Sequence, residues 1–322
     1  MIPPHACECG EEAAISQLEM ASPKLAFSPH QNPAPDAVDR RLSGGDHRAV
    51  EADSDLAAIA ERNYVGAYRK LVEHIPAGSI RLFGAVTAFT TGLPIGIFNG
   101  CIVVEPANAS DLAASLQWVV GLDVPYRVWI REELASGLAA VPIGLGLERE
   151  AWLFPGMVLR SGPQPPPPAP GVTVRSVEGR QALEEHRELH ISKGMSAESA
   201  MRMFSASFVA DPDVRLFTAH LDGRPAGTSL AIRTADAAGV YNVGTLPDAR
   251  RRGVGTAATW AAVVAGRAWG RDTIVLQSSE IGFSLYRAMG FRTVVNWVTF
   301  RPAPTPPTQT SRGPRPESPR SA

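Results

Sequence analysis

The sequence predicts an α/β protein of two similarly built domains set between disordered tails. Three observations carry that reading. The order strand, helix, strand, helix, strand occurs twice, a run of prolines separates the two occurrences, and neither terminus shows a pattern that builds a core. At 322 residues, the chain is long enough for two domains that each bury a core.

Residues 1–52 are rich in Pro, Ala, Asp, His and Ser without sustained periodicity, which predicts a disordered tail. The first domain is expected over 53–160. There "FNGCIVVEP" reads as a strand and "NASDLAASLQWVVG" as a helix with Leu112, Leu116, Val119 and Val120 on one face. "YRVWI" is a strand, "REELASGLAAVPIG" a helix and "LEREAWLFPGMVL" a closing strand. "SGPQPPPPAPG", residues 161–171, reads as a stiff interdomain spacer, with a ligand for a proline-binding module as the alternative.

The second domain, 172–302, opens with the strand "VTVRSV", then the helices "GRQALEEHRELHISKG" and "SAESAMRMFSASF". "VRLFTAHLDGRPAGTSLAIRT" is two strands around Asp222-Gly223, a strong hairpin signal. "GVYNVGTL" is a strand, "TAATWAAVVAGRAWG" a helix, "DTIVLQ" a buried strand, "SEIGFSLYRAMG" a short helix and "FRTVVNWVTF" a last strand or strand pair. Residues 303–322, dominated by Pro, Arg, Ser and Thr, are expected to be disordered.

A net charge of −1 gives no global case for nucleic acid or an anionic membrane as partner. No apolar run reaches the length of a bilayer span, and the first 20 residues lack the apolar segment of a secretory signal. The three cysteines, Cys7, Cys9 and Cys101, suit a reducing cytosol better than a disulfide scaffold, so a cytoplasmic protein is expected. "HACEC" has no fourth ligand nearby, and no metal is expected.

The chemistry gathers in "DARRRGVGTA", residues 248–257. A strand that enters a glycine-rich turn and then a helix exposes main-chain N–H groups at the helix start, where the dipole also favours an anion, above all a phosphate. Gly253 and Gly255 leave the approach open, and Arg250, Arg251 and Arg252 add charge. No Gly-Lys-Ser/Thr follows, and the dinucleotide pattern lacks its third glycine. Taken alone, the stretch fits a basic turn capping a helix equally well.

With its surroundings, Arg250-x-x-Gly253-x-Gly255 preceded by "VGTLPDA" resembles the acetyl-CoA motif of the GNAT acetyltransferase superfamily, and "LYRAMGF", 285–291, resembles that family's second signature. The resemblance covers about 171–302. It implies two GNAT-like domains, each a mixed, mostly antiparallel sheet flanked by helices, the second an acetyl-CoA-dependent N-acetyltransferase acting on a small-molecule or peptide amine. It also implies that Val243, Gly244 and Thr245 bind the acetyl and pantetheine arm where their strand splays from its neighbour. Arg251, Arg252, Gly253, Val254, Gly255 and Thr256 would hold the pyrophosphate, mainly through main-chain N–H groups. Tyr286 would be the general acid that protonates the leaving CoA thiolate. Spacing adds that Ile281, Leu285, Ala288 and Met289 make the apolar stripe of that helix, with Tyr286 off it.

Ser279 stands where many family members have an asparagine on the cofactor, and either touches the cofactor or N-caps the helix. The general base is not identifiable. Asn242 is placed to orient a water, and Glu184, Glu188, His186 and His190 lie in the region that forms the acceptor wall in the family, each also readable as a solvated face residue.

The first half carries "PANASD" where the phosphate turn belongs, and Pro142 where Tyr286 falls. It reads as a degenerate GNAT-like half that packs against the second half and walls the acceptor cleft. Two other function classes stay open: a non-catalytic CoA-binding scaffold with the same fold, and an adaptor acting through its proline-rich segments.

Overall fold

The computed structural model describes residues 46–160 and 162–303; "HACEC" and most of both expected tails lie outside them. The first element, helix α1 (Asp46–Glu73), begins inside the stretch expected to be disordered. Leu56, Ala60, Tyr64, Ala67 and Leu71 are buried at intervals of three or four residues, so one helical stripe faces the protein.

Strands β1 (Ser79–Phe83), β2 (Val86–Thr90) and β3 (Asn99–Val103) lead to α2 (Ala109–Val120) and β4 (Arg127–Arg131). The helix expected at 131–144 is two short ones, α3 (Glu132–Leu138) and α4 (Ala140–Gly144). Pro142 has no N–H to give the carbonyl of Leu138, so the helix cannot run through. The expected closing strand is also two, β5 (Leu147–Arg149) and β6 (Phe154–Leu159).

The second half runs β7 (Val172–Ser176), α5 (Gly179–Ser192), α6 (Ala197–Met203), α7 (Ala206–Ala210), β8 (Val214–Leu221), β9 (Arg224–Arg233), β10 (Ala238–Thr245), α8 (Val254–Ala268), β11 (Ile274–Gln277), α9 (Glu280–Ala288) and β12 (Arg292–Pro302). The helix expected at 196–208 breaks at Phe204, and Ser205 caps a new one by accepting from Phe208 N–H at 3.2 Å. The hairpin turn has the expected chemistry, with φ of 53° at Asp222 and 80° at Gly223.

The described strands form one sheet in the order β1-β2-β3-β4-β12-β6-β11-β10-β9-β8-β7, with β5 also on β12. The β3–β4 and β10–β11 pairs are parallel and the others antiparallel. The halves exchange their closing strands. β6 of the first half pairs β11 of the second, from Leu159↔Ile274 to Gly156↔Gln277, while β12 of the second half pairs β4 of the first, Trp297 opposite Arg131. Helix α1 lies over this seam, where Tyr64 packs with Trp129, Val158, Val275 and Trp297.

Trp297 is fully buried at the centre of the exchange. Trp297→Ala is expected to destabilise the protein by about 3–5 kcal/mol. Because the halves share one sheet, denaturant melts of this variant and of the parent are expected to show a single transition; two separated transitions would mean that the halves unfold independently.

Candidate functional site

β10 keeps its pairing to β11 only at Ala238↔Ile274 and Gly239↔Val275. Past Gly239 the two strands part. β10 stays on β9 through a bulge between Tyr241↔Leu230 and Gly244↔Thr228, where Asn242 takes φ of 52°. The opening is a cleft of about 690 Å³, and Val243, Gly244 and Thr245 line it.

At the end of β10 the chain turns into α8. Gly253 N-caps this helix at φ 81°, with no side chain accepting its first N–H groups, and Arg251 is also left-handed at φ 59°. Left-handed residues alternating with ordinary ones turn successive N–H groups toward a common point, an anion nest. The first helical bond is Ala257 N–H to Gly253 O at 3.0 Å, so the N–H groups of Val254, Gly255 and Thr256 have no partner within the helix. A Cβ at Gly255 would lie 3.2 Å from Thr245 Oγ1 and 3.5 Å from Leu285 Cδ2, in the space between the strand end and α9. Arg250, Arg251, Gly253, Gly255 and Thr256 line the cleft. Two expected side chains do not. Arg252 is half-exposed and pairs with Asp222 at 2.9 Å, and Val254 is buried against Ala219 and Ala258.

Tyr286 and Ser279 stand on the opposite wall of the cleft. The ring of Tyr286 is buried against Gly282, where a Cβ would come within 2.8 Å of its Cε2. Among the described residues its hydroxyl has no hydrogen-bond partner, and burial pushes its pKa up to about 12. The expected stripe is corrected. Ile281 and Ala288 are exposed, and Tyr286 shares the buried face with Met289 because that face borders the cleft and the sheet core together. Ser279 N-caps α9, its Oγ accepting from Gly282 N–H at 3.4 Å, while also lining the cleft.

Of the acceptor-wall candidates, Glu184 and Glu188 are exposed and outside the cleft, and only His190 and Asn242 line it. His186 and His190 are not solvated. His186 Nδ1 is 3.0 Å from Thr218 Oγ1, and His190 Nε2 is buried without a partner. Lys193 escaped sequence reading because "SKG" signals only a helix end. Its Nζ donates to Thr228 Oγ1 at 2.9 Å beside Gly244, and burial pulls its pKa down to about 7. Tyr64 and Tyr68 of α1 reach the cleft from the first half.

Burial holds the His186 pKa down to about 3. Between that value and its ordinary 6.5 the unfolded chain binds a proton that the folded chain refuses, so this group makes stability rise with pH across that window. Glu61, raised to about 7 by burial, acts oppositely between 4.5 and 7. His186→Gln is therefore expected to lose less melting temperature than the parent between about pH 6.5 and 4.5. Equal losses would contradict a neutral buried histidine.

In the first half the equivalent opening is shut. β3 and β4 stay paired over Gly100↔Arg127 to Val103↔Ile130, and a Cβ at Gly100 would strike Arg127 O. Asp111 occupies the first turn of α2, and Asn108 Nδ2 donates to its Oδ2 at 3.3 Å.

Residues 171–276 match the family model described as an acetyltransferase (GNAT) domain; the match ends before α9 and Tyr286. Among solved structures, the chain is similar to a GCN5-related N-acetyltransferase from Kribbella flavida at 20% identity and a TM-score of 0.57, covering 76% of this chain and 95% of that one. It is similar to a tandem GNAT protein from the clavulanic acid biosynthesis pathway at 16% identity and a TM-score of 0.51, covering 83% and 98%. A GCN5-related N-acetyltransferase from Sphaerobacter thermophilus shares 18% identity at a TM-score of 0.50, covering 69% and 78%. These identities speak to fold. No curated protein matches the chain. Among the described residues no group of His, Cys, Asp and Glu is placed to hold a metal, and no helix is long and apolar enough to cross a membrane. Residues 171–276 thus match the acetyltransferase (GNAT) domain model, and the two-part sheet shares the fold of these structures.

Proposed function

We propose that the chain is an N-acetyltransferase that moves an acetyl group from acetyl-CoA to a primary amine of a small molecule or peptide by direct attack. The observation that carries this reading is the single cleft that joins the nest at Gly253, the parted strands β10 and β11, and an unpartnered Tyr286 hydroxyl. The fit to the cofactor rests on unpaired N–H groups at the start of α8 and on a Gly255 whose absent side chain leaves the approach open.

In this reading Arg250, Arg251 and the main chain from Arg251 to Thr256 hold the pyrophosphate. The main chain of Val243, Gly244 and Thr245 holds the pantetheine arm along the free edge of β10. The amine nitrogen bonds to the acyl carbon and releases its surplus proton to solvent, the carbon–sulfur bond breaks as Tyr286 gives its proton to the sulfur, and Tyr286 takes a proton back from solvent. A pKa of about 12 keeps Tyr286 protonated at neutral pH, which suits an acid and not a base. Direct attack fits the buried state of Cys101, the cysteine of the described region, whose thiol is pushed up to about 12 and away from nucleophilic use.

The test is thiol release from acetyl-CoA across a panel of amines, with the product identified by mass. Acetyl-CoA binding without release for any amine would favour a scaffold that keeps the fold.

A further inference from the structure

The part of the cleft away from the Gly253 turn is built by both halves of the chain. Tyr64, Tyr68 and Leu71 of α1 line it from the first half, and Met203, Leu230 and Ile232 from the second. The wall's hydroxyls are committed within the protein. Tyr68 donates to Ile97 O at 2.7 Å, with the Tyr64 hydroxyl 3.4 Å from its own, and Tyr241 donates to Asn63 Oδ1 at 2.5 Å. What remains for a ligand is ring and aliphatic surface.

The charge is one-sided. Among the described residues that line the cleft there is no Asp or Glu, and the cations are Arg127, Lys193, Arg250 and Arg251. Arg127 is paired with Glu150 at 3.2 Å, whereas Lys193 has no carboxylate within ion-pair distance among the described residues. A half-buried ammonium without a carboxylate partner is disfavoured, and desolvation pulls the Lys193 pKa down to about 7. Beside it, Nε2 of His190 and Nδ2 of Asn242 are buried without partners, and His190 is only 3% exposed.

Building on the acyl-transfer reading, we infer that the acceptor is a monoamine with an apolar, ring-bearing body and no second positive charge. Its body lies between α1 and the β9 wall, and its amine lies beside Lys193, His190 and Asn242. An apolar body gains by leaving water for this wall. Each further ammonium would sit beside these cations with no Asp or Glu lining the cleft to offset it, which disfavours polyamines and aminoglycosides. The same surroundings lower the proton affinity of the reacting amine, so it enters the attack neutral without a carboxylate base.

The experiment compares kcat/KM of the full chain for tryptamine and hexylamine with that for spermidine and kanamycin, alongside tryptamine binding to the CoA-loaded protein by calorimetry. The apolar monoamines are expected to lead by about 10²-fold or more. Leu71→Lys is expected to lower kcat/KM for tryptamine by about 10-fold or more at unchanged acetyl-CoA affinity, and Ala67→Phe, which fills the cleft without adding charge, gives the same direction if the lysine variant fails to fold. Equal or better use of spermidine or kanamycin would overturn the inference while leaving acyl transfer standing. A gain with long acyl-CoAs, and none with apolar amines, would overturn it too. If no amine is acetylated although acetyl-CoA binds, acyl transfer fails, and tryptamine binding alone decides: saturable binding lost in Ala67→Phe supports the subsite, and no binding overturns it.

Discussion

Tyr286→Phe is expected to lower kcat by about 10²–10⁴-fold while leaving acetyl-CoA affinity and folding intact. The ring is held by burial and by its contact with Gly282, which phenylalanine keeps. The hydroxyl has no partner among the described residues, so its removal breaks no internal hydrogen bond. A structural role therefore predicts almost no effect on rate, and an acid role predicts a large one. Single-turnover rates with a good acceptor are the proper readout, since slow product release would hide a slowed chemical step. A rate within about twofold of the parent would make Tyr286 a packing residue.

Gly255→Glu is expected to weaken acetyl-CoA binding by about 10²-fold or more, about 2.7 kcal/mol, measured by calorimetry. The new side chain would enter the space beside Thr245 Oγ1 and Leu285 and bring a negative charge to the N–H groups that would meet the pyrophosphate. Backbone strain is not the cause there. It belongs to Gly253, whose φ of 81° disfavours any side chain. The parent should bind one acetyl-CoA per chain, because β3 and β4 do not part and Asp111 stands at the first half's helix start. Two sites of similar affinity, or half the binding surviving in Gly255→Glu, would contradict this.

What was legible in the sequence is what local chemistry decides. The Asp222-Gly223 hairpin, the turn at Gly253, α8 and α9 are written in consecutive residues, and the expected cofactor-site and acid residues other than Arg252 and Val254 line one cavity. The strand exchange was not legible, because Asn296 meets Pro155 across a separation that no local pattern reports. Helix α1 was missed because its apolar stripe is diluted by Ala and charged residues, and its burial depends on the seam it covers. Counting apolar residues misplaced Tyr286, since a cleft exposes Ile281 and buries a hydroxyl-bearing ring. The burial of His190 left no mark in a helix that otherwise reads as amphipathic, and neither did the placing of Lys193, half-buried just past its end, against Thr228.

Transfer of labelled acetyl groups under single-turnover conditions, with the protein in excess and an apolar monoamine present, tests the proposed chemistry most directly. Direct attack predicts that label moves from acetyl-CoA to the amine in step with free thiol, and that none stays on the protein. Label held covalently on the chain, or left on acetyl-CoA bound in the cleft, would contradict it.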